Sequence, residues 1–204
     1  MMNELFFILF GYCFGSVLFA RLFGRLFGHE DITAGTRDQN PGTANAFLQG
    51  GFFCGTLTLL GDIFKGFFPV WLYLSRCSEP PSAFWLGLIL AAPVLGHIFP
   101  MCYHFKGGKG IATTFGCLLA LLPDAVPLLT LAFYFIFFSL ILRISPHFYR
   151  TIITYLISFF SLCLFPVHPG VRLGFLFITG GVCLRFSLSQ EAKERCQINL
   201  LWMR

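Results

Sequence analysis

Gly96-His97-Ile98-Phe99-Pro100, followed by Phe105-Lys106-Gly107-Gly108-Lys109-Gly110-Ile111-Ala112-Thr113, is a glycine-rich turn with two lysines set between two strongly apolar runs. The run before it reads as about 82–102 and the run after it as about 110–122. Charge is otherwise scarce in this chain: 56% of its 204 residues are hydrophobic and 11% are charged. Mean hydropathy is +0.77. Soluble domains carry about 25% charged residues, so the composition predicts an all-α integral membrane protein. Twenty-eight phenylalanines are too many for one small aqueous core.

Outward from that turn, apolar stretches are read at about 5–23, 51–74, 82–102, 110–122, 125–142, 151–165 and 170–185. Several fall short of the roughly 20 residues that cross hydrocarbon. Short spans are tolerated where the bilayer thins or interfacial residues anchor them. Pro123 and Pro127 separate the fourth run from the fifth, Pro146 ends the fifth, and Pro166 and Pro169 end the sixth. The expectation is a compact bundle of about seven transmembrane helices, or five or six if a short one is re-entrant. No Lys or Arg precedes the first run and no small-residue cleavage pattern follows it, so it reads as a retained span. No internal repeat or low-complexity linker divides the chain, and residues 1–204 read as one domain.

The distribution of basic residues tests this count. With seven spans, one face collects Arg21, Arg25, Arg37, Lys106, Lys109, Arg143, Arg150, Arg185, Lys193, Arg195 and Arg204. The other has Arg76 and Arg172, and Lys65 stays inside a span. Cytoplasmic loops carry the excess of Lys and Arg. The expected orientation is therefore N-terminus outside and C-terminus cytoplasmic. The polar connections 24–50, 103–110 and 143–150 then share the cytoplasmic face, where a site can be assembled from loops held by a rigid bundle.

The eight cysteines lie mostly in apolar runs, with no Cys-x-x-Cys pair and no His at zinc spacing, and read as small hydrophobes. No metal site is expected. A net charge of +5 suits anionic headgroups or substrates and does not form a nucleic-acid footprint.

Candidate chemistry starts with Lys106, Gly107, Gly108, Lys109 and Gly110. Successive glycines present backbone N–H groups to an anion, and a helix starting at Ile111 adds its N-terminal dipole. The competing reading is a flexible interfacial turn whose lysines snorkel. It is not a Walker A loop, because Tyr103 stands where the first glycine belongs. His97, at the end of the third run, is either a general base or hydroxyl partner for substrate, or a helix-end histidine satisfied by a carbonyl. Asn40-Pro41-Gly42 marks a turn from which a helix opens, and Asn40 and Asn45 offer amide donors to phosphate or carbonyl oxygens. Asp62 and Lys65, three residues apart on one helix face, read as a structural ion pair turned into the bundle.

These residues together resemble the bacterial acyl-phosphate:glycerol-3-phosphate acyltransferases of the PlsY type. Gly96-His97-x-Phe99-Pro100 through Ala112-Thr113 is similar to that family's second motif at nearly every position. Gly11-Tyr12 with Gly15-Ser16 resembles its first span, Asp62-x-x-Lys65-Gly66 its Asp-x-x-Lys-Gly element, and Asn40-Pro41-Gly42 with Asn45 its first motif. The resemblance runs from about residue 11 to 123 and then thins. It implies transfer of a fatty acyl group from acyl phosphate to the 1-hydroxyl of glycerol 3-phosphate, in phospholipid biosynthesis at the bacterial inner membrane. It implies a seven-span fold, no cofactor, no metal and no covalent acyl-enzyme. His97, Lys109 and Asn45 are the implied catalytic residues. Lys106, Gly107, Gly108, Gly110, Asn40, Gly42, Arg37, Arg143 and Ser145 are the implied substrate- and phosphate-binding residues. The expected partners are acyl phosphate, glycerol 3-phosphate and the bilayer, with no nucleic acid, whether the chain acts as a monomer or an oligomer.

The chain departs from the family pattern in four places. Arg37-Asp38-Gln39-Asn40 stands where the family has Gly-Ser-Gly-Asn, so a carboxylate replaces a serine. Leu48 stands where an arginine is expected. Arg143-Ile144-Ser145 matches the third motif loosely, and Gln197-Ile198 with Glu194 replaces the tail's His-x-x-Asn-Ile. These departures keep two other readings open: a non-catalytic relative that binds lipid or organic phosphate, and a small organic-phosphate transporter.

Overall fold

A computed structural model describes residues 4–29, 31–36, 38–188 and 195–200. Arg37, Lys193, Glu194 and Arg204 lie outside the described residues. The seven apolar stretches are all helical. Among the described residues, five segments are long and apolar enough to cross a membrane: Glu4–Leu26, Thr43–Leu74, Ala83–Tyr103, His147–Leu164 and Pro169–Ser187.

The first stretch is not one continuous helix. Helix α1 (Glu4–Gly15) ends at a Gly-Ser pair, and α2 (Phe19–Leu26) begins after a three-residue break. Ser16 closes α1 by donating its N–H and Oγ–H to the Tyr12 carbonyl at 2.9 and 2.8 Å. The Val17 carbonyl, orphaned by the break, accepts from Lys65 Nζ at 2.6 Å. A buried lysine thus satisfies a backbone group that a continuous helix would have bonded internally.

Helix α3 (Thr43–Leu74) starts earlier than the apolar pattern predicts, directly after Gly42. Its 32 residues would extend roughly 48 Å at ~1.5 Å per residue, more than the ~30 Å hydrocarbon layer. The excess is taken up at Gly51, whose φ of 76° and ψ of −173° kink the helix. The turns before Gly51 carry Asn45 and Leu48; the turns after it carry Asp62 and Lys65.

Helix α4 (Ala83–Ile98) is the centre of the bundle: 67% of the 18-residue apolar window of its span is buried, against 22–50% for the windows of the other four spans. Its neighbours approach through missing side chains. A Cβ on Gly15 would strike the Pro93 carbonyl, and one on Gly96 would strike the Tyr12 carbonyl, so α1 and α4 meet backbone to backbone. Helices α3 and α5 (Ile111–Leu119) meet the same way, Gly66 against the Thr113 carbonyl and Gly116 against the Ile63 carbonyl. Helix α5 has nine residues, about 13 Å, and covers less than half the hydrocarbon on its own. Helix α6 (Val126–Ile136) is extended by a π turn to Ile141. Helices α7 (His147–Leu164) and α8 (Pro169–Ser187) complete the bundle.

One element departs from the all-α expectation. Strands β1 (Leu142–Ser145) and β2 (Gln197–Leu200) pair antiparallel, with Arg143 opposite Asn199 and Ser145 opposite Gln197. This ribbon joins the third-motif segment to the tail, two regions matched only loosely above.

Candidate active site

Helix α4 ends at Ile98, and the chain makes a 3₁₀ turn at Met101–Tyr103 before returning along its own end. Gly107 donates its N–H to the Ile98 carbonyl at 3.1 Å, and Gly108 to the His97 carbonyl at 3.0 Å. No side chain fits between them. A Cβ on Gly107 would hit the His97 carbonyl, and one on Gly108 would lie on His97 Nε2. The glycines are therefore moulded to the histidine. Arg185 of α8 clamps the turn from outside, donating from Nε and Nη2 to the Gly107 carbonyl at 3.2 and 2.9 Å. Gly110, at φ 82°, caps α5, whose first-turn amides follow at once. Thr114 donates to the Gly110 carbonyl and accepts from Tyr155 of α7, at 2.8 and 2.9 Å, fixing that cap to the core.

Behind the turn, Lys65 is fully enclosed. Its Nζ lies 2.6 Å from the Val17 carbonyl, 2.8 Å from Asp62 Oδ1 and 2.7 Å from His97 Nδ1. The Asp62 contact is an ion pair without hydrogen-bond alignment. As the ammonium partner of Asp62, Lys65 has only N–H donors to offer to the Val17 carbonyl and to His97. Nδ1 of His97 then accepts, which assigns the proton of the neutral ring to Nε2. His97 is 3% exposed, and its Nδ1 stands 3.7 Å from Asp62 Oδ1. The pair expected to be structural is thus tied to the histidine expected to be functional.

In front of the turn lies a cavity of about 900 Å³. Its wall brings together Asn40, Gly42, Asn45, His97, Lys109 and Gly110 from three separate segments. Asp38, Asp62 and His147 also line it. The wall continues into an apolar side of Leu48, Leu59, Ile111, Ala112 and Phe115. Asn45 donates Nδ2 to the Asn40 carbonyl and to Asp38 Oδ1, each at 2.8 Å. Asn40 Oδ1 is buried and has no hydrogen-bond partner among the described residues. Lys109 Nζ pairs with Asp38 Oδ2 at 2.8 Å and lies 5.1 Å from the centre of the Phe186 ring. Burial pushes the Asp38 carboxyl up, but hydrogen bonds from Lys109 and Asn45, the Lys109 charge and the Asn40 N–H outweigh it. Its pKa is held below the ordinary value.

Lys106 and Arg143 are exposed and do not line the cavity, nor does Ser145 on the ribbon. Gly107 and Gly108 stand behind the wall as its support. Sequence reasoning did not single out Arg185 or His147 as site residues. Arg185 acts on a backbone carbonyl 78 positions away, and neither residue carries a local motif.

The sequence profile of the family described as glycerol-3-phosphate acyltransferase matches residues 5–193. The chain belongs to this family. A glycerol-3-phosphate acyltransferase of Methylobacillus flagellatus is 39% identical over 137 residues, covering 67% of each chain. One of Escherichia fergusonii is 45% identical over 112 residues, 54% of this chain and 52% of the relative. One of Proteus mirabilis is 46% identical over 84 residues, 40% of this chain and 36% of the relative. The matched stretches thus span from about a third to two thirds of these relatives' lengths. Two crystal structures of the integral membrane glycerol 3-phosphate acyltransferase PlsY (YgiH) share the fold at 27% identity. Its lysophosphatidic acid form has a TM-score of 0.73 and its glycerol 3-phosphate form 0.76, covering 89–90% of this chain and 87–88% of theirs. The chain is an integral membrane protein of the acyltransferase fold.

Proposed function

We propose that this glycerol-3-phosphate acyltransferase takes its acyl group from acyl phosphate, in the cavity bounded by His97, Lys109 and Asn45. A fatty acyl group passes to the 1-hydroxyl of glycerol 3-phosphate, giving lysophosphatidic acid and phosphate. The observation that carries this reading is the composition of one wall. Lys109, the α5 amides and two asparagines adjoin Leu48, Leu59, Ile111 and Phe115, so an anionic head and an apolar tail meet in one space.

Acyl phosphate is already activated, so the protein's work is to juxtapose two anions and stabilise the developing oxyanion. The hydroxyl oxygen attacks the acyl carbon, the bond to the phosphate oxygen breaks, and the hydroxyl proton ends on the departing phosphate. Lys109 and the first-turn amides of α5 hold the phosphoryl oxygens. His97, with Nδ1 accepting from Lys65, offers Nε2–H to an oxygen rather than taking a proton. The buried Asn40 Oδ1 accepts from a glycerol hydroxyl. Lys106 and Arg143 act at the membrane surface, where their exposure suits steering of anions.

The cavity opens on the cytoplasmic side of a bacterial inner membrane, with the N-terminus outside and residues 1–204 acting as one domain. The one-sided distribution of Lys and Arg supports this orientation. A host lacking its own glycerol-3-phosphate acyltransferase tests the reading. The wild-type chain rescues growth, and Lys109→Ala or His97→Ala does not. Failure of well-expressed wild type to rescue would remove the proposal.

A further inference from the structure

Asp38 lines the cavity and is not used by the reaction above. Its Oδ2 takes Lys109 Nζ at 2.8 Å, and its Oδ1 takes Asn45 Nδ2 at 2.8 Å and the Asn40 backbone N–H at 3.3 Å. An ammonium, a carboxamide N–H and a backbone N–H are the donors that a phosphoryl oxygen recruits. Both side chains are mostly enclosed, Asp38 at 18% exposure and Lys109 at 12%, so solvent screens the pair weakly. Among the lining residues Lys109 supplies the Lys or Arg charge, and Asp38 already balances it. The other carboxylate on the wall, Asp62, is balanced by Lys65. Arg185 on α8 interacts electrostatically with Asp38 from beyond the turn, and His147 faces the space from α7.

We propose that Asp38 is an internal anion that sets the affinity for the phosphate-bearing substrate, holding Lys109 and Asn45 until an incoming phosphate takes its place. This rests on the acyl-transfer reading of the cavity. Phosphate cannot occupy the same donors while the carboxylate keeps them, and like charges at that distance repel. Asp38 is a specificity-determining residue: it disfavours weakly bound anions and admits a ligand with enough oxygens to replace three bonds at once.

The test uses the full-length protein in lipid nanodiscs, comparing wild type with Asp38→Asn and Asp38→Ser. Binding of glycerol 3-phosphate without acyl donor is measured by calorimetry, and turnover with acyl phosphate separately. Releasing one charge-assisted pair lowers both Kd and KM for glycerol 3-phosphate about tenfold. Affinity for uncharged glycerol stays where it was, because no charge is met. A residue that merely braces Lys109 and Asn45 gives the opposite sign: Kd rises in both variants, and that result overturns the proposal. Unchanged Kd also overturns it. Should Asp38→Asn fail to fold, Asp38→Ser, which also removes the charge, carries the same comparison. Wild type that binds glycerol 3-phosphate yet never turns over counts against the acyl-transfer reading instead, and leaves the binding comparison readable.

Discussion

Replacing Gly108 by alanine is the sharpest local perturbation of the turn. The new Cβ would overlap His97 Nε2 and stand 2.7 Å from Cε1 and 3.0 Å from Cδ2. Unstrained contacts are about 3.5–4.0 Å, so more than ~1 Å of movement is required. Neither side yields freely. The turn is tied by the Gly107 and Gly108 N–H bonds to Ile98 and His97, and by Arg185. The ring is tied by Lys65. Forced overpacking costs about 1–3 kcal/mol, and a misplacement of ~1 Å at a reacting centre costs roughly 100-fold in rate. Steady-state acyl transfer by purified protein should show kcat/KM reduced about 100-fold, with a small drop in thermal midpoint. Gly180→Ala is the control, since a Cβ there meets nothing within 4 Å, and it should behave as wild type. Wild-type kcat/KM in Gly108→Ala would refute the fitted contact between turn and histidine.

Lys109→Ala removes the cavity-wall cation and should lower kcat about 10²–10³-fold, the usual loss for a transition-state donor, as read by release of inorganic phosphate. Gly66→Ala sets a Cβ against the Thr113 carbonyl, a backbone atom that cannot rotate away; thermal unfolding should show a loss of about 1–3 kcal/mol. Lys65→Met leaves the Asp62 carboxylate buried and uncompensated, a loss of about 3–5 kcal/mol, and the double variant Asp62→Asn/Lys65→Met should recover part of it. Because the folded pKa of Asp38 lies below the ordinary 3.8, the stability its charged form contributes is present above that value and lost as pH falls through the folded pKa. Wild type and Asp38→Asn should therefore keep a constant stability difference from pH 5 to 8, and converge only in stronger acid.

The helical membrane bundle was legible because hydropathy is a summed property that local packing does not alter. The start of α5 at Ile111 was legible too, since Gly110 has the conformational freedom its φ of 82° requires. The break at Ser16–Leu18 was not, because nothing local shows that a distant Lys65 will cap the Val17 carbonyl. The partner of Asp38 was not legible either, because nothing in the first loop points to it. Lys109 is 71 positions away in sequence and 2.8 Å away in space. The ribbon of 142–145 with 197–200 escaped notice for a similar reason: each strand is four residues long, and pairing between segments so distant in sequence has no periodic signature.

The most direct measurement is conversion by purified protein of a long-chain acyl phosphate and labelled glycerol 3-phosphate. One lysophosphatidic acid should form for each phosphate released, with no product from the corresponding acyl thioester. Absence of product from acyl phosphate, in protein that folds and binds glycerol 3-phosphate, would contradict the acyl-transfer assignment of the cavity.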